Sequence, residues 1–444
     1  MSATVHAYPR KQFFIEMFTR DIGLEDCILD LIDNSMDALL RARRIDVEKE
    51  ILDQGTGTEK RKAKPARIAI SYSAKQFSIT DECGGIPYED AVKEVFCFGH
   101  SPDAPKGKLG VYGIGLKRAI FKIGNRIRIQ SNTGDEAFRV DIDVAAWALK
   151  DDSLEDWTFP VLKLAGPALK AAHGTNISIS ELHPEVKARL DDGTVAAALQ
   201  KSISQSYPIF LGEIVDVQIN GRTVTKSELP FGSSDDIEPG IAKFTQDGVS
   251  VTILATVAPK SKRNQESAGW YVLCNGRVVV AADKTPLTGW GLILPAFHSK
   301  YLGFVGLVLF TSDEPAKLPW TTSKRGLNRE ALVFQHARTR MAAAAKPVIT
   351  FLNDMYPSDL TENSGERQIA DKVVQKSFLP LLSQEPSSFV RREAKVKKRV
   401  ARVVFDASLS DIAKIQKKLR RPQMSASEIG KMTFNHYLKT ECAE

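Results

Sequence analysis

The run ILDLIDNSMDALL over residues 28–40 constrains this chain more than any other stretch, because its apolar and polar residues separate onto opposite faces of a helix. At about 100° per residue, Asp30, Asn34 and Asp37 share one narrow polar stripe, while Ile28, Ile32, Ser35 and Leu39 lie roughly opposite. A helix built this way buries one face and aims carboxylates and a carboxamide at something. Taken alone, it reads rather as an amphipathic helix with a solvated acidic face. The motifs that follow decide between the two.

After the β-like Phe77-Ser78-Ile79-Thr80 comes Asp81-Glu82-Cys83-Gly84-Gly85-Ile86-Pro87, an acid at a strand end followed by a glycine turn. Such a turn lets backbone approach a flat ligand while the acid is held still. A Gly/Pro/Lys-rich loop, FGHSPDAPKGK, leads into Gly110-Val111-Tyr112-Gly113-Ile114-Gly115-Leu116-Lys117 and a helical pattern, RAIFKIG. Glycines that open a helix expose backbone N–H groups and a dipole terminus to phosphates. His173-Gly174-Thr175 then precedes the strand-like Asn176-Ile177-Ser178-Ile179-Ser180.

In this order and spacing the motifs resemble the nucleotide site of the GHKL superfamily, the ATPases related to gyrase B, Hsp90, MutL, histidine kinases and MORC proteins. The resemblance implies an α+β Bergerat-fold sandwich over residues 1–190, binding ATP with Mg2+. By it, Asn34 is the magnesium-binding asparagine, whose carbonyl oxygen suits a hard cation. Asp81 is the acid that accepts from the adenine amino group, with Gly85 under the base and Ile86 beside it. Gly110, Gly113 and Gly115 match the hinge and phosphate-facing turn of the ATP lid, with Leu116 and Lys117 adjoining it. Thr175 matches the threonine that helps hold an adenine-binding water. Asp30 stands four residues before Asn34, where many relatives carry the glutamate that activates the attacking water.

That position departs from the family. Aspartate is one methylene shorter, and a displacement of about 1 Å can cost about a hundredfold in rate, so slow hydrolysis is expected. Asp33 is the alternative base, although a helix turns it about 60° from Asp30. Cys83 occupies a place that glycine often holds, which implies a local change in the turn. A Rossmann or P-loop site is excluded, because the glycine run follows a long polar loop and no G-x-x-x-x-G-K-[ST] occurs.

From 191 to 356 the pattern changes to hairpins followed by a helix. Asn220-Gly221 and Asn275-Gly276 each lie between β-rich runs, the strongest short hairpin signal. YLGFVGLVLF, LPWTTSKRGLNRE and a helix rich in alanine and arginine follow. This block resembles the S5-like transducer domain of dimeric GHKL ATPases, where a loop carries a lysine into the neighbouring ATP site. Lys324 is the γ-phosphate sensor by that analogy, and a surface lysine beside Arg325 otherwise. No phosphoacceptor histidine in helical context precedes the ATPase domain, which argues against a histidine kinase.

The five cysteines, Cys27, Cys83, Cys97, Cys274 and Cys442, form no C-x-x-C pair and read as reduced thiols. The longest apolar run is too short to span a bilayer and the N-terminus lacks the order of a signal peptide, so a soluble cytoplasmic protein is expected. A short helix is predicted from Lys11 to Arg20, and residues 53–67 read as a polar surface loop.

Residues 357–392 read as a linker with a short apolar helix around FLPLL. Residues 391–421 carry twelve Lys or Arg against three acids, a surplus larger than the +7 of the whole chain. Such concentration favours phosphate backbones or an acidic partner. Within residues 393–444, Arg402 to Asp406 reads as a strand, Leu409 to Leu419 as a helix, and Ser425 with Glu428 as the capping box of a second helix. The strand-helix-helix order resembles a ribbon-helix-helix module, which dimerises through its strands and enters the DNA major groove. An oligomerisation or partner-docking tail reads nearly as well. The expected function is therefore an ATP-gated homodimer with slow turnover, acting on DNA or with a partner effector protein. The alternative is a chaperone-like or scaffolding protein switched by ATP binding alone.

Overall fold

The computed structural model describes residues 10–56, 63–97, 109–110, 113–150, 156–169, 173–355, 365–392, 404 and 406–442. It divides into two compact units, Met1–Lys395 and Val396–Glu444.

The first unit begins with three helices, α1 (Lys11–Arg20), α2 (Leu24–Ala42) and α3 (Val47–Thr56). Glu25 and Asp26 in the first turn of α2 and Arg41 in its last turn complement the helix dipole. An eight-stranded sheet follows, built from β1 (Ala66–Tyr72), β2 (Gln76–Asp81), β3 (Gly124–Thr133), β4 (Ala137–Asp143), β5 (Val161–Leu164), β6 (His173–Leu182), β7 (Val215–Ile219) and β8 (Arg222–Thr223). Its order is β5-β4-β3-β6-β2-β1-β7-β8, antiparallel except where β1 runs parallel to β7. Helix α2 and the helix Gly115–Ile123 pack on each other and both touch this sheet. This is the mixed α+β architecture expected of a GHKL ATPase.

The sheet does not stop at residue 190. Ala66 to Ile70 of β1 pair with Val215 to Ile219, so the hairpin turned by Asn220-Gly221 closes this edge. Both Asn-Gly pairs adopt the left-handed conformation such turns require, with φ of 45° and 80° at Asn220 and Gly221 and 45° and 79° at Asn275 and Gly276.

A second sheet of five strands has the order Gly240–Gln246, Val249–Val257, Phe304–Thr311, Gly269–Cys274, Arg277–Asp283. Phe304–Thr311 is buried at every position, because strands flank it and the helix Leu332–Met355 packs against it. Among the described residues no helix is long and apolar enough to cross a membrane.

Two expectations need correction. Residues 53–56, assigned to a polar loop, continue α3, whose Val47 and Ile51 are buried. The stretch assigned to a linker is integral over residues 365–392. Val374–Gln375 pairs with Gly232–Ser233, and Val390–Arg391 pairs with Ile237–Glu238. The helix Leu379–Leu382 packs on α3. Ile369, Val373, Phe378 and Leu382 are all buried, and this apolar anchoring explains why the segment docks.

In the second unit, Ser408 caps the helix Leu409–Leu419, and a complete capping box between Ser425 and Glu428 opens Ala426–Glu441. Ile429 is its one buried apolar side chain among the described residues. The strand expected from Arg402 to Asp406 lies largely outside the described residues, and Val404 and Asp406 belong to no strand.

Candidate nucleotide site

Strand alternation sets the floor of the site. Phe77 and Ile79 point into the core, so Asp81, two residues further on, is directed to the same face and is buried. Its Oδ1 accepts from the backbone N–H of Cys83 at 2.9 Å and of Thr175 at 3.2 Å, and its Oδ2 accepts from the Ser35 hydroxyl at 2.8 Å. Burial pushes the carboxyl upward from its ordinary range, against the pull of those donors. Ser131 ties the neighbouring strands together: its Oγ lies 3.1 Å from Thr175 Oγ1 and accepts from the Ile86 N–H at 2.7 Å.

The glycine turn after Asp81 is compact for a backbone reason. A Cβ on Gly85, where φ is 76°, would stand 2.0 Å from the Asn132 carbonyl oxygen. One on Gly84 would stand 2.6 Å from Ala42 Cβ, at the end of α2.

The polar stripe of α2 forms the wall. Asn34 presents a buried amide nitrogen with no hydrogen-bond partner among the described residues. Asp37 accepts from the Leu109 N–H at 2.8 Å and the Gly110 N–H at 2.5 Å, fixing this backbone to α2. Burial raises the Asp37 carboxyl, more than these two donors lower it.

The helix Gly115–Ile123 faces this wall. A Cβ on Gly115 would meet the Asp30 side chain at 3.4 Å, so glycine allows the helix start to lie close to α2. Arg118, one turn later and buried, donates to Asp30 Oδ2 at 2.5 Å. Lys117 is buried and donates to the Val95 carbonyl at 2.9 Å; burial holds its ammonium down at about 8.

A segment far along the chain completes the wall. Lys324, with a left-handed φ of 54°, inserts its ammonium to 2.6 Å from Asp33 Oδ2 and is 7% exposed. It is therefore not a surface lysine. Asp33 is fully buried and is also held by Arg277 and by the Tyr207 hydroxyl at 2.7 Å.

Eleven of the twelve residues that the resemblance assigned to the site line one cavity: Asp30, Asn34, Asp81, Ile86, Gly110, Gly113, Gly115, Leu116, Lys117, Thr175 and Lys324. Gly85 does not line it, because its role is to let the turn pack against Asn132 and Gly174. Asp33 does not line it either, and its carboxylate is already taken by three donors, which removes it as the alternative base. Sequence reasoning missed Ser35, which it placed on the apolar face, and the hold of Asp37 on Leu109 and Gly110. It also missed Arg118, Ser131, Tyr207 and Arg277, none of which carries a motif of its own.

Residues 22–175 match the family model described as Histidine kinase-, DNA gyrase B-, and HSP90-like ATPase. This part of the chain is a GHKL ATPase domain. The match spans α2, the Asp81 turn, Gly110, Gly113, Gly115 and Thr175, which meet at the cavity. No curated protein matches the chain. Within the GHKL domain the fit of a nucleotide with its cation turns on Asn34. Asn34 lines the cavity, and among the described residues its amide nitrogen has no hydrogen-bond partner; since the two ends of an amide have the same shape, no hydrogen bond of that nitrogen prevents the side chain from presenting oxygen to a cation.

Proposed function

We propose that the chain binds Mg-ATP in this cavity and hydrolyses it slowly. The observation that carries the reading is the convergence on one cavity of an adenine-type acid, a partnerless amide, a glycine-opened helix and a buried lysine from outside the matched region. Asp81 supplies an acceptor for an exocyclic amine, its other lone pairs being fixed by Ser35, Cys83 and Thr175. The N-terminus of Gly115–Ile123 offers N–H groups to phosphate oxygens. Asn34 would hold Mg2+, which when bound neutralises phosphate charge. Among the described residues no three His, Cys, Asp or Glu cluster to hold a metal, so the other ligands of the cation would be phosphate and water.

Asp30 is the candidate base. Arg118 engages its Oδ2, and Oδ1 is the oxygen that would accept from the attacking water. The shorter side chain favours slow turnover. We further propose that nucleotide binding closes a homodimer, and that the machine acts on DNA or a DNA-bound partner through the basic region. The charge surplus of residues 391–421 supports that last step. The test of the reading is calorimetry of ATP with and without magnesium. Asn34→Ala should lose the magnesium-dependent gain in affinity, whereas unchanged affinity in magnesium would overturn the assignment.

A further inference from the structure

Four side chains from four distant segments meet behind the cavity wall. Asp33 lies on α2, Tyr207 follows the helix Val195–Ser206, Arg277 opens the strand Arg277–Asp283, and Lys324 stands in the turn bridged by Trp320 and Leu327. Asp33 is 0% exposed, Arg277 and Tyr207 1% each, and Lys324 7%. Asp33 Oδ2 accepts from both Arg277 Nη1 and Lys324 Nζ, and Oδ1 accepts from Tyr207. Burial and the adjacent carboxylate keep the Tyr207 phenol protonated, so it stays a donor. One carboxylate thus faces two cations. The neighbouring acids do not remove the surplus: Asp30 is paired with Arg118, Asp26 with Arg325, and burial favours the neutral form of Asp37.

A second observation gives the surplus a direction. Of these four residues, Lys324 alone lines the nucleotide cavity. It is also the one with a left-handed backbone, a conformation that a lysine adopts only when its surroundings hold it.

We infer that Asp33 is the resting-state acceptor of Lys324, an internal carboxylate that competes with the terminal phosphate of ATP for the lysine, and that Arg277 is present so that Lys324 can leave. A buried carboxylate stripped of its only cation is strongly disfavoured, so with a lysine alone the pair would stay shut. Arg277 cannot follow, being fully buried and outside the cavity wall, and it keeps Asp33 compensated after the lysine turns to phosphate. Asp33, Arg277 and Tyr207 are then positioning residues that set how strongly the site distinguishes ATP from ADP. The inference rests on the ATP-binding reading and extends it to the regulation of that site.

The measurement is the affinity of the full chain for a non-hydrolysable ATP analogue divided by its affinity for ADP, both with magnesium. Lys324→Ala should bring that ratio down toward that set by the remaining phosphate contacts. Arg277→Met should lower it with ADP affinity unchanged, because Asp33 then depends on the lysine alone. Asp33→Asn should raise it, the competitor being gone. Since Asp33→Asn and Arg277→Met each disturb a buried charge, Tyr207→Phe is the milder variant. It keeps both ion pairs and the ring but removes one donor, tightening the grip of Asp33 on Lys324 and lowering the ratio by about threefold. Equal shifts in both affinities, or no shift in the ratio for Tyr207→Phe, would make the cluster a structural brace and overturn the inference. Failure of the wild type to bind either nucleotide would overturn the ATP-binding reading and the inference with it. Normal ADP binding with an unmoved ratio would refute the inference alone.

Discussion

Replacing Asp81 by asparagine separates binding from folding at this site. The side chain keeps its shape, and its Oδ1 continues to accept from the N–H groups of Cys83 and Thr175. At the other end an amide nitrogen replaces Oδ2, and the Ser35 hydroxyl can reverse from donor to acceptor. Burial raises the Asp81 carboxyl above its unfolded value. An acid raised in this way adds stability at pH below its unfolded pKa, and that contribution is lost as pH rises through the folded pKa. At neutral pH the folded state is therefore carrying a disfavoured charge, which asparagine removes. The melting temperature should stay within a few degrees of wild type or rise.

Nucleotide affinity should move the other way. An acceptor aimed at an exocyclic amine becomes a donor, and a hydrogen bond to a charged group is worth about 1.5–3 kcal/mol, so affinity for ATP and ADP alike should fall by about 10- to 150-fold. Calorimetry and a thermal melt on the same preparation provide the two readings. Asp81→Ala would be a poorer probe, since it strands the donors of Ser35, Cys83 and Thr175 and confuses lost stability with lost binding. Affinity within twofold of wild type in a folded Asp81→Asn variant would refute the placement of the base at Asp81.

Two further outcomes follow from other parts of the molecule. Burial holds Lys117 at about 8, so if it contacts phosphate, affinity should fall as pH rises through that value, and binding above it should take up a proton; a pH profile of affinity identical in Lys117→Gln and wild type would exclude the contact. Deleting residues 396–444, a separate compact unit, should remove most DNA affinity but leave nucleotide affinity intact, and the affinity lost should show a log–log salt slope of about −0.9 for each phosphate neutralised. DNA affinity equal before and after deletion would count against the basic region.

Much of the site was legible because its chemistry is local. The period of α2 placed Asp30 and Asn34 on the cavity side, and the alternation of β2 directed Asp81 inward with Phe77 and Ile79. The Asn-Gly pairs marked both hairpins because few other residues accept their backbone angles. Other features were hidden by the same locality. Residues 365–392 look like a linker because their strands are two residues long and gain their meaning from pairing with Gly232–Ser233 and Ile237–Glu238. Ser35 falls on the apolar side of α2, and nothing near it in the chain shows that Asp81 will come within 2.8 Å of its hydroxyl.

The acidic face of α2 shows where a helical-wheel reading fails. Asp26, Asp30 and Asp33 recur at the spacing of a solvated stripe, and a wheel cannot tell water from a cation as their neighbour. In the fold Asp26 meets Arg325, Asp30 meets Arg118, and Asp33 meets Arg277 and Lys324. The partners of Asp33 lie 174, 244 and 291 residues away along the chain, too far for any local pattern to announce them. Because burial penalises an unpaired carboxylate, Asp33 favours the docking of the hairpin at Arg277 on α2, with Lys324 as a second cation that can be released. The charge pairs thus tie the helix that carries the proposed magnesium ligand to segments more than 200 residues further along the chain.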